Sequence, residues 1–377
     1  MLVADDDEVT PTNQPRLNRE ARARLRGDLP TAEPGSIAEA MGYGQEPPPP
    51  ERKMGGIAAY NLAHDRQDWL EWRRTGIGAS EVAMLYGWGF ANQSPYQLWL
   101  QKVGLIAPGD ELDNERFEFG RRAEPMIARW FEDETGLYVF HEQERRVHDH
   151  YSWCIATIDG EVFEGPSRDG IEPLGGLEIK TTSSFDWKPD EPIPIRYAAQ
   201  GQWQMFVCGW ERLWFAVLHG TAFRVYVLER DEDDITDLFE RAGRFWHDHV
   251  LAVVPPDLDE SPATSRALGQ AYRGDRDRTT ADLSELQRSL TDLREAKAEI
   301  AKWKGRAYLH ENEIKAALGD ATYGDFGKGP EVTWSRFNRR SVDTALLKQR
   351  FPEIYEIVAK STPSSTFRVS GEKGEED

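Results

Sequence analysis

Cysteine is almost missing from this chain of 377 residues, with only Cys154 and Cys208 present. Both lie in apolar surroundings, which excludes a disulfide framework or a cysteine-based zinc site and predicts reduced, buried thiols in a cytoplasmic protein. Long apolar runs are missing as well. No stretch approaches the roughly 20 residues of a membrane span, and the first residues carry no signal-peptide pattern. Positive charge is scarce: 46 Lys and Arg stand against 66 Asp and Glu, a net charge of −20. That excludes coating of nucleic acid by bulk electrostatics, but leaves room for a local basic channel inside an acidic exterior. His148/His150 and His247/His249 form HxH pairs. They read as surface or core histidines, the second pair lying in a helix-like run where i and i+2 diverge.

What is present points to a real core. Hydrophobic residues make up 39% of the chain and 13 are Trp, enough for one large domain and a smaller one. Residues 1–55 are rich in Pro and charge and poor in apolar groups, so they read as a disordered arm, an interaction arm being the alternative.

Chemistry concentrates in 153–182, WCIATIDGEVFEGPSRDGIEPLGGLEIKTT. This reads as two strands joined by a polar, Gly- and Pro-rich turn, with Ile155, Thr157, Asp159 and Glu161 on one side of the first. Glu178 and Lys180 share a side of the second, with Ile179 opposite. Paired, the strands bring Asp159, Glu178 and Lys180 to one spot. Two carboxylates beside an ammonium suit a hard divalent metal and an activated water, which is phosphodiester chemistry.

Other segments gather around that hairpin. HDRQDWLEWRRTGIGASEVAMLYGWG predicts a helix, a Gly-rich turn and a second helix opened by Ser80. Ser80 there is either a helix cap or, with Arg73, part of a phosphate cradle, and both roles can hold together. SPYQLWLQKVGL predicts an amphipathic helix. In the next helix Phe117, Gly120, Glu124, Ile127 and Phe131 share a face. Glu124 in that stripe needs either a salt bridge or a metal, and a ligand at the core's edge explains it better. Pro125 is expected to start or kink the helix. Residues 138–153 read as one strand, 193–209 as a helix bearing Tyr197, Gln200 and Gln204 near one face, and 210–231 as a hairpin turning at His219-Gly220. Beyond about 260, heptad-like leucines predict a long, partly exposed helix. A Gly-punctuated hairpin follows with Arg336, Arg339 and Arg340, a candidate DNA contact or a solvated basic edge.

Taken in order, WLEWRRTGIGASEVAMLYG, SPYQLWLQKVG, FGRRAEP, TIDGEV, LEIKTT and YAAQGQWQMFVCG resemble the PD-(D/E)xK nuclease superfamily. Within it the likeness is to the YqaJ-type viral recombinases, relatives of the lambda-type 5′–3′ exonucleases. One departure is Ile158, which stands before Asp159 where the superfamily's name has Pro. The resemblance implies an α/β fold: a mixed central sheet flanked by helices over residues 60–260, with a helical and β-hairpin extension over 261–377. It implies Mg²⁺ or Mn²⁺ on Asp159, Glu178 and the Ile179 carbonyl with Glu124 close by. Lys180 would orient or help deprotonate the attacking water, Gln200 would hold the site together, and Arg73 with Ser80 would grip a terminal phosphate. It further implies action on double-stranded DNA ends, a ring-forming homo-oligomer, favoured as a trimer, and a single-strand annealing partner.

Overall fold

The computed structural model describes residues 62–90, 93–107, 115–140, 144–182, 187–272, 280–327, 329–338, 341–359, 367 and 369. The arm predicted over 1–55 lies outside them, as do Arg339 and Arg340. The chain divides into two units, Met1–Tyr272 and Arg273–Asp377.

The first unit opens with helix α1 (Leu62–Arg73), strand β1 (Ile77–Gly78) and the short helix α2 (Ala79–Val82). Helix α3 (Pro95–Lys102) follows, its first turn closed by Ser94, whose hydroxyl accepts the Gln97 N–H. Helix α4 (Glu115–Thr135) continues unbroken through Pro125 rather than starting there. The buried stripe Ala123, Ile127 and Phe131 holds it against the sheet on both sides of that residue, which outweighs the one backbone donor that proline removes.

Two sheets follow. One orders β1, β4 (Cys154–Ile158) and β3 (Glu144–Val147). The other orders β2 (Tyr138–Phe140), β5 (Gly160–Phe163), β6 (Gly175–Thr182), β7 (Arg212–His219) and β8 (Ala222–Glu229). The second is mixed: β6 runs parallel to β7 while its other pairs are antiparallel. The stretch 138–153, expected as one strand, splits into β2 and β3, which belong to different sheets. The predicted first strand of the central hairpin breaks too, at Asp159, a bend that hands the chain from β4 to β5. The expected pairing survives in β5–β6, with Gly160 opposite Leu177. The β7–β8 hairpin turns where predicted, at His219-Gly220, and Gly220 there has φ +62°.

Helix α5 (Ile195–Cys208) crosses both sheets. Its approach is so close that a Cβ on Gly201 would stand 2.7 Å from Leu228 and 2.9 Å from Leu213. Trp203, fully buried, donates its indole N–H to the Ile155 carbonyl at 3.1 Å. Helix α6 (Glu232–Arg244), a π-helical turn over Phe245–Leu251 and helix α7 (Pro262–Ala271) complete the unit. Ala263 and Ala267 of α7 are buried, so packing continues past Pro255 and Pro256. Cys154 is buried and Cys208 half-buried, and neither forms a disulfide.

The second unit carries helix α8 (Gln287–Leu318), a hairpin of β9 (Tyr323–Asp325) and β10 (Glu331–Thr333), and helices α9 (Thr344–Arg350) and α10 (Pro352–Val358). None of its described residues is buried, and Arg336 is exposed. No described helix is long and apolar enough to cross a membrane.

Candidate active site

The bend at Asp159 and the middle of β6 form the first polar cluster. Asp159 Oδ2 accepts the Ile179 backbone N–H at 2.7 Å, which ties the bend to β6 beside Glu178. Glu178 is buried, and its carboxylate is held on both oxygens. Lys180 Nζ lies 2.5 Å from Oε1, Gln200 donates to the same oxygen at 2.6 Å, and Gln204 donates to Oε2 at 2.7 Å. Gln204 also donates to the Thr157 carbonyl at 3.1 Å, so one amide joins β4, β6 and α5. Gln200 and Gln204 are four residues apart, one helical turn, and so face the sheet together. The Lys180 ammonium sits over the Tyr197 ring at 5.2 Å.

The electrostatics are those of crowded negative charge. Burial and the Glu178 charge push the Asp159 carboxyl well above the usual carboxylate range, with Glu124 adding to them against the pull of Lys180. Burial disfavours the Lys180 charge, but Glu178 and Asp159 outweigh it and push its pKa up. Lys180 is therefore an ammonium at neutral pH. Among the described residues, no three His, Cys, Asp or Glu side chains make a metal cage by themselves. The group nonetheless suits a hard divalent cation. Its carboxylate oxygens are hard donors, and a cation would offset the Glu178 and Glu124 charges that add to burial in raising the Asp159 carboxyl.

A second polar cluster surrounds Glu81. Arg73 Nη2 lies 2.6 Å from Glu81 Oε1, and Lys102 Nζ lies 2.6 Å from Oε2. Oε2 also accepts the Gly78 N–H at 2.8 Å. Ser80 is exposed, with its hydroxyl 3.4 Å from Arg73 Nη2. The expected cap at Ser80 is therefore corrected: α2 begins at Ala79 with Gly78 in the cap position, and the Glu81 side chain reaches back to take the free N–H of Gly78 instead. Burial works against the Glu81 charge, yet Lys102 and Arg73 prevail and hold its carboxyl below the usual range. The same burial draws Lys102 down to about 8, with Glu81 only partly offsetting it.

Residues 68–211 match the YqaJ-like viral recombinase domain. Over 326 residues the chain is 32% identical to an uncharacterised Bacillus subtilis (strain 168) protein, YqaJ, covering 84% of this chain and 98% of that one. The chain belongs to the YqaJ-like viral recombinase family. Among solved structures it is similar to an alkaline exonuclease (LHK-Exo) from Laribacter hongkongensis, at 20% identity and a TM-score of 0.40, over 50% of this chain and 94% of that one. A phage-related exonuclease from Haemophilus somnus 129PT is also similar, at 15% identity and a TM-score of 0.31, over 42% of this chain and 80% of that one.

In this YqaJ-like chain Asp159, Glu178, Lys180 and Gln200 come together, and Arg73 meets Ser80. Glu124 is half-buried on α4 and near enough to act on Asp159. Arg336 stands in the second unit. Three residues of the two clusters were missed as site residues: Gln204, Glu81 and Lys102. Gln204 had a usable signal, its one-turn spacing from Gln200. Lys102 had none, because a lysine ending an amphipathic helix reads as solvated.

Proposed function

We propose that the protein is a divalent-metal-dependent deoxyribonuclease that resects double-stranded DNA from its ends in the 5′ to 3′ direction. The observation that carries this is the convergence of Asp159, Glu178 and Lys180, with Gln200 and Gln204 clamping the glutamate. Asp159, Glu178 and the Ile179 carbonyl, with Glu124 beside them, would hold Mg²⁺ or Mn²⁺, which supplies Lewis-acid activation of water and neutralises phosphate charge. Lys180, held as an ammonium, donates hydrogen bonds to the attacking water and to the phosphate oxygens as charge builds there. That favours orientation and charge stabilisation over proton removal. The two glutamines fix the Glu178 carboxylate, so little reorganisation is left for the moment of reaction.

Arg73 and Ser80 grip the terminal phosphate, and Arg336, Arg339 and Arg340 are further contacts to DNA. Ring assembly, favoured as a trimer, and cooperation with a single-strand annealing protein belong to the same reading and rest on the family resemblance. Digestion of a linear duplex labelled at its 5′ or 3′ end, with Mg²⁺ and with EDTA, tests it. Early Mg²⁺-dependent release of the 5′ label, with the 3′ label kept on long strands, is the expected result. Internal fragments, or cutting of closed circles, would instead indicate an endonuclease, and no product with any divalent metal a DNA-binding scaffold.

A further inference from the structure

We propose that Glu81 and Lys102 are a buried positioning pair that fixes the Arg73 guanidinium and keeps its cluster cationic, so that a phosphorylated DNA end is preferred over a hydroxyl end. This rests on the reading of Arg73 and Ser80 as the phosphate grip.

Arg73 is restrained on several sides. Its guanidinium is paired with Glu81, lies 4.8 Å above the Trp69 ring and touches the Ser80 hydroxyl. Its backbone carbonyl accepts from Lys102 Nζ at 2.5 Å. Lys102 thus holds both the main chain of Arg73 and the carboxylate that orients its head. The exposures differ by depth: the side chain of Lys102 is 2% exposed, that of Glu81 6% and that of Arg73 23%. Of these three, only the arginine is open enough to meet a ligand.

Charge gives the second half of the argument. Arg73 paired with Glu81 alone would be neutral and would draw a phosphate weakly. Lys102 adds a positive charge from below, so the trio stays cationic while the arginine remains locked. A phosphomonoester carries more negative charge than a hydroxyl end, so it gains most from that field. Placing a buried lysine under a buried glutamate is costly for the fold, which a purely apolar contact at this position would avoid.

The test is the ratio of digestion rates on 5′-phosphorylated and 5′-hydroxyl duplexes. Lys102→Met should lower that ratio roughly tenfold, as loss of one nearby charge in a partly solvated site implies, and Lys102→Arg should restore most of it. The wild-type protein supplies a measurement that no folding defect can obscure. The charged groups acting on Lys102 are Glu81, Arg73 and Arg74. Its ammonium is lost as pH rises through about 8, so the ratio should fall there, and Lys102→Arg should flatten that fall. A folded Lys102→Met protein with the wild-type ratio, or a wild-type ratio that stays constant through this range, overturns the inference. Arg73→Ala separates the two claims. If that variant keeps the ratio, the phosphate grip itself is wrong. If it loses the ratio while Lys102→Met keeps it, only the positioning role falls.

Discussion

Glu178 and Glu81 are both buried glutamates saturated with donors, yet they sit in opposite fields. Glu178 takes two neutral amides and one ammonium, with Asp159 and Glu124 as acidic neighbours. Glu81 takes a guanidinium, an ammonium and a backbone N–H. Neutral donors fix a carboxylate without spending its charge, so the first pocket stays negative and suits a cation. Cationic donors overspend it, so the second stays positive and suits an anion. Trp69 links the two: its ring lies under Arg73, and its indole N–H points at the Thr157 hydroxyl at 3.3 Å, two residues before the Asp159 bend. An acidic protein with net charge −20 thereby carries one polar cluster whose field suits a cation and another whose field suits an anion. Net charge described neither.

The comparison breaks most visibly at Lys180. Lys180→Ala should reduce DNA cleavage by about 10³-fold, the scale of losing a donor aimed at developing charge, while the protein unfolds near the wild-type temperature. A variant that retains cleavage would remove Lys180 from the chemistry. Next in size, pH should act on the two pockets with opposite sign. Asp159 is raised, so without metal the folded protein binds a proton that the unfolded chain has released, and stability falls as pH rises above about 4. Mg²⁺ should reverse this, its gain in melting temperature growing with pH. Glu81 is lowered, so its contribution is complete above the unfolded value near 4.5 and is lost as pH falls below it. Thermal unfolding across pH, with Mg²⁺ and with EDTA, reads both. A metal effect independent of pH would contradict the charge assigned to the first pocket.

Much of the first pocket was legible because its residues lie close in sequence on regular elements. Strand alternation put Glu178 and Lys180 on one face, and the β5–β6 pairing brought Asp159 alongside. The bend at Asp159 was not legible. Period-two patterning runs unbroken through Ile155, Thr157 and Asp159, while the break depends on which sheet each half joins. The same blindness made one strand of β2 and β3. Ser80 misled for a different reason: the capping preference is local, but Glu81 wins the Gly78 N–H through a carboxylate already fixed by Lys102, 21 residues away. Long-range partners of that kind leave no local pattern.

Gln204 tests whether neutral donors do what the comparison asks. Gln204→Leu removes the donor on Glu178 Oε2 and the tie to Thr157, while leaving the net charge unchanged. Residues that orient a metal ligand typically cost 10- to 100-fold in metal affinity or activity when removed, and about tenfold is expected here because Gln200 still holds the other oxygen. Calorimetric titration of Mg²⁺ or Mn²⁺ would measure it, and unchanged affinity would make Gln204 a packing residue only.

The smallest effect concerns the approach of α5, which lets both glutamines reach β6. Gly201 is not at a positive φ, so its lack of a side chain answers to space alone. A Cβ would meet Leu228 Cδ2 at 2.7 Å, Leu213 Cδ2 at 2.9 Å and the Phe215 ring at 3.2 Å. The leucine ends can yield, so Gly201→Ala should fold, with overpacking costing about 1–3 kcal/mol against a smaller gain in helix propensity. Because the helix shifts outward, the Gln200 and Gln204 contacts should lengthen together. Metal affinity should then weaken slightly in both Gly201→Ala and Gln204→Leu, and the two effects should be less than additive, since both act through one carboxylate. Full additivity would mean that the helix and the amide reach Glu178 by separate routes.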